Sequence, residues 1–105
     1  MRNSRKIDFS GTAWESAGVG IREKRFSIDG KTIRLVELDK KLKHPEWCET
    51  GHWGYVVSGK LEIVFSRSSE IYSEGDGIFI RPGTSQKHIP KPLTEKVTLF
   101  LIDEN

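Results

Sequence analysis

The sequence contains a single cysteine, Cys48, among its 105 residues. No disulfide can form within the chain, and a chain of this length can bury one core without such a bond. One cysteine and three histidines also exclude a closed cysteine-rich zinc module, which takes four such ligands in close pairs. Any metal site must therefore be built from mixed ligand types.

Long apolar runs are missing as well. No segment approaches the ~18 apolar residues expected of a membrane span, and the basic start of the chain is not followed by the apolar core of a secretion signal. The net charge is only +2. The basic residues at 2–6 and 40–43 are not followed by a helix that could enter a nucleic-acid groove. We expect a cytoplasmic domain that binds neither membranes nor nucleic acids.

No helical period extends beyond two turns, whereas short stretches of strand-like alternation are frequent. Turns rich in Gly, Pro, Asp and Ser separate these stretches about every eight to twelve residues, and Asp29-Gly30 is a strong hairpin signal. Strands are predicted at 21–28, 32–38, 55–57, 60–65, 71–72, 78–80 and 97–102. The pattern predicts an all-β protein, an antiparallel sandwich or barrel with little helix.

Residues 1–20 have few apolar anchors and are predicted to form an irregular N-terminal arm that lays Phe9 and Trp14 on the body. Residues 21–105 are predicted to form the barrel domain. Pro90 and Pro92 cannot serve a central strand, so residues 84–92 are predicted to be a loop or a sheet edge.

The segment from His44 to His52 is the richest in potential metal ligands. It contains two histidines, two glutamates and the only cysteine. If residues 44–48 are an extended strand, His44, Glu46 and Cys48 share one face. After a break at 49–51, His52 can point back to that face. A thiolate, an imidazole and a carboxylate that converge in this way predict a divalent metal site.

Each of these residues also has an ordinary structural interpretation. Cys48 can be a small buried apolar residue, His52 a core histidine bonded to a backbone carbonyl, and Glu46 an exposed edge residue. His44 has the same parity as Glu46 and can replace it as a ligand.

These residues resemble the first motif of small cupins, G-x5-H-x-H-x3-4-E-x6-G. Counting back from Gly59, Glu46, Cys48 and His52 occupy the positions of the family's His, His and Glu. Residues 75–83 are similar to the start of the second cupin motif, with its histidine displaced to His88. Residues 45–52 also resemble the site of a small RmlC-like cupin group named for a D-H-C-W motif.

The resemblance implies an antiparallel double-stranded β-helix, the cupin or jelly-roll barrel, that forms a homodimer. It adds His88 to the predicted metal ligands, which become Glu46, Cys48, His52 and His88. Zinc best suits this set, with iron, nickel, copper or manganese as alternatives. Trp47 and Trp53 are expected to face away from the ligands, as packing or dimer-interface residues, with lining of the pocket as the alternative role.

Three functions remain open at this point. The first is a metal-dependent enzyme acting on a small molecule through an open coordination position. The second is a non-catalytic module that binds or senses a small ligand, and the third is a homodimerisation domain without metal. Glu49 and Tyr55 are the nearest acid–base candidates, and the fold does not select among these functions.

Overall fold

A computed structural model describes residues 5–43 and 45–104 of the chain. His44, the alternative metal ligand, lies outside the described residues. Within them, we find no helix with the length and hydrophobicity of a membrane-spanning segment.

The described residues form nine antiparallel strands and one short 3₁₀ turn at Thr84–Gln86. The strands are β1 (Glu15–Gly18), β2 (Ile21–Ile28), β3 (Lys31–Asp39), β4 (Gly51–Ser58), β5 (Lys60–Phe65), β6 (Ser69–Ser73), β7 (Gly77–Ile80), β8 (His88–Pro92) and β9 (Lys96–Glu104). They make a six-stranded sheet, in the order β1-β2-β3-β9-β4-β7, and a three-stranded sheet, in the order β6-β5-β8. The predicted all-β antiparallel class with little helix is confirmed.

The turn between β2 and β3 is the predicted Asp29-Gly30 hairpin. Both residues have positive φ, 51° at Asp29 and 76° at Gly30. Two consecutive residues with positive φ, in the left-handed region of backbone conformation, form the type of hairpin turn whose twist matches that of the flanking strands. The register therefore starts directly at the turn, where Ile28 pairs with Lys31.

The core lies between the inner faces of the two sheets. β9 runs between β3 and β4 in the large sheet. Its inward residues Val97, Leu99 and Leu101 are buried, and the residues between them are more exposed. The alternation of side chains along the strand thus places every second side chain of β9 against the barrel interior.

The N-terminal segment differs in part from the predicted irregular arm. Residues 15–18 form β1 and extend the large sheet beyond β2. The chain can turn back tightly here because Gly18 and Gly20 adopt φ of 138° and 78°, values that side chains disfavour. Before β1, Phe9 does pack on the body, with its ring 5.4 Å from that of Phe26.

β8 lies at the edge of the small sheet, where β5 is its only neighbour among the nine strands of the described residues. The edge position accommodates Pro90 and Pro92, which cannot donate a backbone hydrogen bond. The prediction of a loop or edge over residues 84–92 is therefore confirmed, and His88 is the first residue of this edge strand.

Candidate metal centre

β4 positions His52 at the start of its inward row. In the register of the large sheet, His52 lies between Ile80 of β7 and Asp103 of β9. The preceding residue must be small, since a Cβ at Gly51 would come within 2.7 Å of the Pro82 side chain. His52 itself is buried, with 7% of its surface exposed.

Cys48 is held by a single bridge to β8 and not by a regular strand. Its backbone N–H donates to the His88 carbonyl at 2.9 Å, and the N–H of His88 donates back at 3.0 Å. Residues 45–48 thus do not form the regular strand that was assumed when Glu46 and Cys48 were placed on one face. Pro45 offers no N–H to a strand partner. The bridge nevertheless brings the Cys48 and His88 side chains to one place.

Three side chains converge inside the barrel. One donor atom from each of Cys48, His52 and His88 lies within 4.8 Å of the other two. The Cys48 Sγ is 3.7 Å from the His52 Nε2, and the two imidazole rings meet edge to face, 5.1 Å apart. We refer to these three side chains as the donor cluster.

The orientation of His88 leaves one ring nitrogen without a partner. Its Nδ1 is 2.9 Å from the Gln86 carbonyl oxygen, which can only accept, so Nδ1 carries the proton. The Nε2 then bears a lone pair, yet it is buried and has no hydrogen-bond partner among the described residues. An unpaired buried polar atom costs about 1–3 kcal/mol, and a metal ion in the donor cluster would relieve that cost.

Asp103 fixes the other imidazole. Its Oδ1 lies 2.8 Å from the His52 Nδ1, which directs the Nε2 of His52 toward Cys48. A carboxylate behind a histidine is a common arrangement around metal ions, because it sets the tautomer and orients the ring. Asp103 was not predicted from the sequence. It could have been found as a carboxylate at an inward position of an apolar strand, two residues after Leu101.

Arg34 holds Asp103 from the neighbouring strand. The Nη2 of Arg34 donates to Oδ1 of Asp103 at 3.0 Å, and its Nε forms an ion pair with Oδ2 at 2.8 Å. On the other side, Nη1 of Arg34 donates to Glu23 at 3.0 Å. Glu23, Arg34, Asp103 and His52 thus form a continuous chain of ionic contacts across the adjacent strands β2, β3, β9 and β4.

These contacts favour a thiolate in the donor cluster. Hydrogen bonding to His52 is the main cause that lowers the pKa of Cys48 to about 5. Burial would lower the pKa of His52, but its hydrogen bonds to Asp103 and Cys48 outweigh burial and raise it. The pKa of Asp103 is lowered despite burial, because His52 and Arg34 favour its charged form. The thiolate is the form of cysteine that binds metals.

Glu46 is not brought into the donor cluster. It is exposed and lies at the edge of the cavity that the cluster faces. Its predicted position depended on the regular strand alternation that the segment lacks. Three of the four predicted ligands therefore come together, and ligation by Glu46 stays a prediction.

The donor cluster lines a cavity of about 490 Å³ in the barrel. Eleven of the 21 lining residues are valine, leucine or isoleucine, such as Leu38, Ile63 and Leu99. Two charged lining residues, Lys43 and Glu46, are exposed and mark the opening. The cavity has the size of a site for a small molecule.

The predicted acid–base candidates lie elsewhere. Tyr55 is on the outer face of the large sheet, 5.9 Å from the Phe100 ring, and Glu49 is an exposed acceptor for Thr84. Trp47 and Trp53 also lie apart from the cavity, Trp53 beside Phe79 at 4.5 Å. Their orientation away from the ligands agrees with the prediction.

Solved structures resemble this arrangement of sheets. KdgF from Halomonas sp. superposes with a TM-score of 0.78 at 19% identity, over 95% of this chain and 92% of that one. An RmlC-like cupin from Shewanella frigidimarina gives 0.76 at 15% identity, over 97% and 92% of the chains. The protein has a cupin fold. A cupin 2 conserved barrel protein from Salinispora arenicola gives 0.68 at 12% identity, over 100% and 90% of the chains.

No family model matches the sequence, and neither does any curated protein. In two further structures, with TM-scores of 0.64 and 0.63, this cupin fold spans only 51% and 61% of the other chain. The superpositions establish the fold, and identities this low support nothing more specific. The resemblance to the D-H-C-W group therefore stays a prediction.

Proposed function

We propose that the protein binds a divalent metal ion through Cys48, His52 and His88 and uses it to act on a small molecule in the adjoining cavity. One observation carries the proposal: the buried Nε2 of His88 has a free lone pair beside the thiol and the second imidazole. A metal ion gives all three donor atoms a common partner.

The donor set suits zinc best. One thiolate and two imidazoles match its preferred ligands, and tetrahedral bonding places a sulfur and a nitrogen donor roughly 3.6 Å apart. The Cys48–His52 distance of 3.7 Å already meets this value. The widest separation of 4.8 Å would have to close by about 1 Å. Iron, nickel and copper are alternatives, and manganese, which prefers oxygen ligands, fits least well.

Three protein ligands leave a coordination position for a small molecule. A bound metal would supply Lewis acidity or an activated water there. The protein's residues have supporting roles: Asp103 holds the proton on Nδ1 of His52, and the apolar wall limits access of water. Glu46 is the one carboxylate among the described lining residues, so it is our candidate for moving a proton.

A non-catalytic module that binds a small ligand is the second candidate. It is favoured by the lack of an acid–base side chain inside the cavity, apart from the donor cluster, among the described lining residues. Glu46 lies at the exposed opening. A closed coordination shell in the ligand complex would support this binding module, whereas a displaceable metal-bound water would support the enzyme.

Metal analysis tests the shared part of both candidates. Untagged protein purified without chelator would be compared with a Cys48→Ala/His52→Ala variant by plasma mass spectrometry. We expect about one metal ion per chain in the parent and loss of metal in the variant. Glu49→Ala, a nearby exposed position, serves as the matched control and should retain the ion. Absence of metal from the parent after reconstitution would refute the proposal.

A further inference from the structure

The wall of the cavity has very few polar side chains that are free to bind a ligand. Of the 21 described lining residues, six have polar side chains: Arg34, Lys43, Glu46, Cys48, His52 and His88. Three of them are the donor cluster. Lys43 and Glu46 are exposed at the opening, and the guanidinium of Arg34 is engaged by two carboxylates.

Below the opening, the wall is therefore almost entirely hydrocarbon. Leu38, Leu61, Ile63, Ile78 and Leu99 are each no more than 5% exposed and surround this space. A ligand hydroxyl placed against such a wall loses its hydrogen bonds to water and gains no partner. The walls of this cavity thus select against ligands that carry many hydroxyls.

From this distribution and the cavity volume of about 490 Å³ we infer the ligand class: a compact molecule with a hydrocarbon body and a single oxygen-bearing group that reaches the donor cluster. Sugars and sugar acids are outside this class. The inference rests on the proposed function only for the contact between the oxygen group and the metal. The preference for a hydrocarbon body rests on the cavity wall alone.

Two matched pairs of probes test the preference for a hydrocarbon body with and without the metal contact. In the zinc-loaded protein, cyclohexanecarboxylate and quinate share a six-membered ring and a carboxylate, but quinate adds four hydroxyls. Each hydroxyl left without a partner weakens binding roughly tenfold, so calorimetry should show cyclohexanecarboxylate binding about 100-fold more tightly or better. In the metal-free protein, cyclohexanol should bind more tightly than myo-inositol.

A substitution that partly fills the cavity tests whether the probes bind there. Ile63→Phe adds bulk inside the barrel, whereas Val64→Phe adds the same group at the next position of β5, outside the cavity lining. Both variants should keep zinc and the native circular dichroism spectrum. Cyclohexanecarboxylate should bind at least tenfold more weakly to Ile63→Phe than to Val64→Phe. If Ile63→Phe does not fold, the two probe pairs still decide the question.

The outcomes distinguish the inference from the metal proposal. Equal or tighter binding of quinate and myo-inositol would overturn the inference, even in a protein that holds zinc. Failure of both six-membered rings to bind at millimolar concentration would also overturn it. A protein that takes up no metal but prefers cyclohexanol over myo-inositol would refute the metal proposal and support the hydrocarbon cavity.

Discussion

Asp103 supports the donor cluster from behind, and Asp103→Asn tests that role. The substitution keeps the size of the side chain but removes the charge that faces His52 Nδ1 at 2.8 Å and Arg34 Nη2 at 3.0 Å. An asparagine oxygen can still accept from Nδ1, but it neither strengthens the imidazole as a donor nor balances Arg34. Loss of such an outer carboxylate lowers metal affinity about 10- to 100-fold, or about 1.4–2.8 kcal/mol.

The same substitution should destabilise the metal-free protein. The Arg34 side chain is only 13% exposed, and removal of one partner from a buried ion pair costs about 3–5 kcal/mol. Glu23 remains as a second partner of Arg34, so we expect the lower end, about 3 kcal/mol. The pH dependence should change as well. Because the folded pKa of Asp103 is lowered, its stabilising effect exists above its unfolded pKa and is lost as pH falls through the folded value.

Zinc competition with a chromophoric chelator and urea unfolding of the metal-free protein measure the two effects. Glu104→Gln is the matched control, since it removes a neighbouring carboxylate that is exposed. A zinc affinity within threefold of the parent value in Asp103→Asn would refute the supporting role. An equal loss in Glu104→Gln would show that the effect is only one of net charge.

Three further predictions concern the metal, the barrel and assembly. Zinc affinity should fall as pH decreases from 8 to 5, because protons compete with the ion for His52, whose pKa is raised by its hydrogen bonds to Asp103 and Cys48. A flat affinity measured by chelator competition would contradict ligation by this ring. Gly54→Ala should destabilise the barrel by about 3 kcal/mol in urea unfolding, since its Cβ would collide with a backbone carbonyl of β9. Gly77→Ala, whose Cβ meets nothing closer than 3.9 Å, should have little effect, and equal losses would contradict the steric argument. The predicted homodimer should form through the exposed rings of Trp53 and Phe79, which are 50% and 51% exposed. Trp53→Ser/Phe79→Ser should sediment as a monomer, and an unchanged dimer would place the interface elsewhere.

Much of the fold could be predicted because local signals and tertiary structure agree. An Asp-Gly pair favours a hairpin turn in which both residues have positive φ, and Asp29 and Gly30 both do in the structure. Pro90 and Pro92 predicted an edge, and β8 is an edge strand. Residues 15–18 were missed as a strand because their exposed, polar sequence gives no alternation; the hydrogen bonds to β2 decide their structure.

All three members of the donor cluster were predicted, but the local pattern gave only Cys48 and His52, and the cupin resemblance added His88. Cys48 and His52 are close in sequence, but their approach to His88 depends on a single bridge that no local pattern encodes. Glu46 was predicted from a strand parity that the segment around Pro45 does not maintain. Asp103 lies 51 residues from its partner His52, so only the register between β4 and β9 reveals the contact.

X-ray absorption at the zinc edge of the reconstituted protein tests the central claim most directly. The account predicts one sulfur at about 2.3 Å and two imidazole nitrogens at about 2.0 Å, with the sulfur lost in Cys48→Ser. A first shell made only of oxygen and nitrogen in the parent protein would contradict the assignment of Cys48, and with it the metal centre described here.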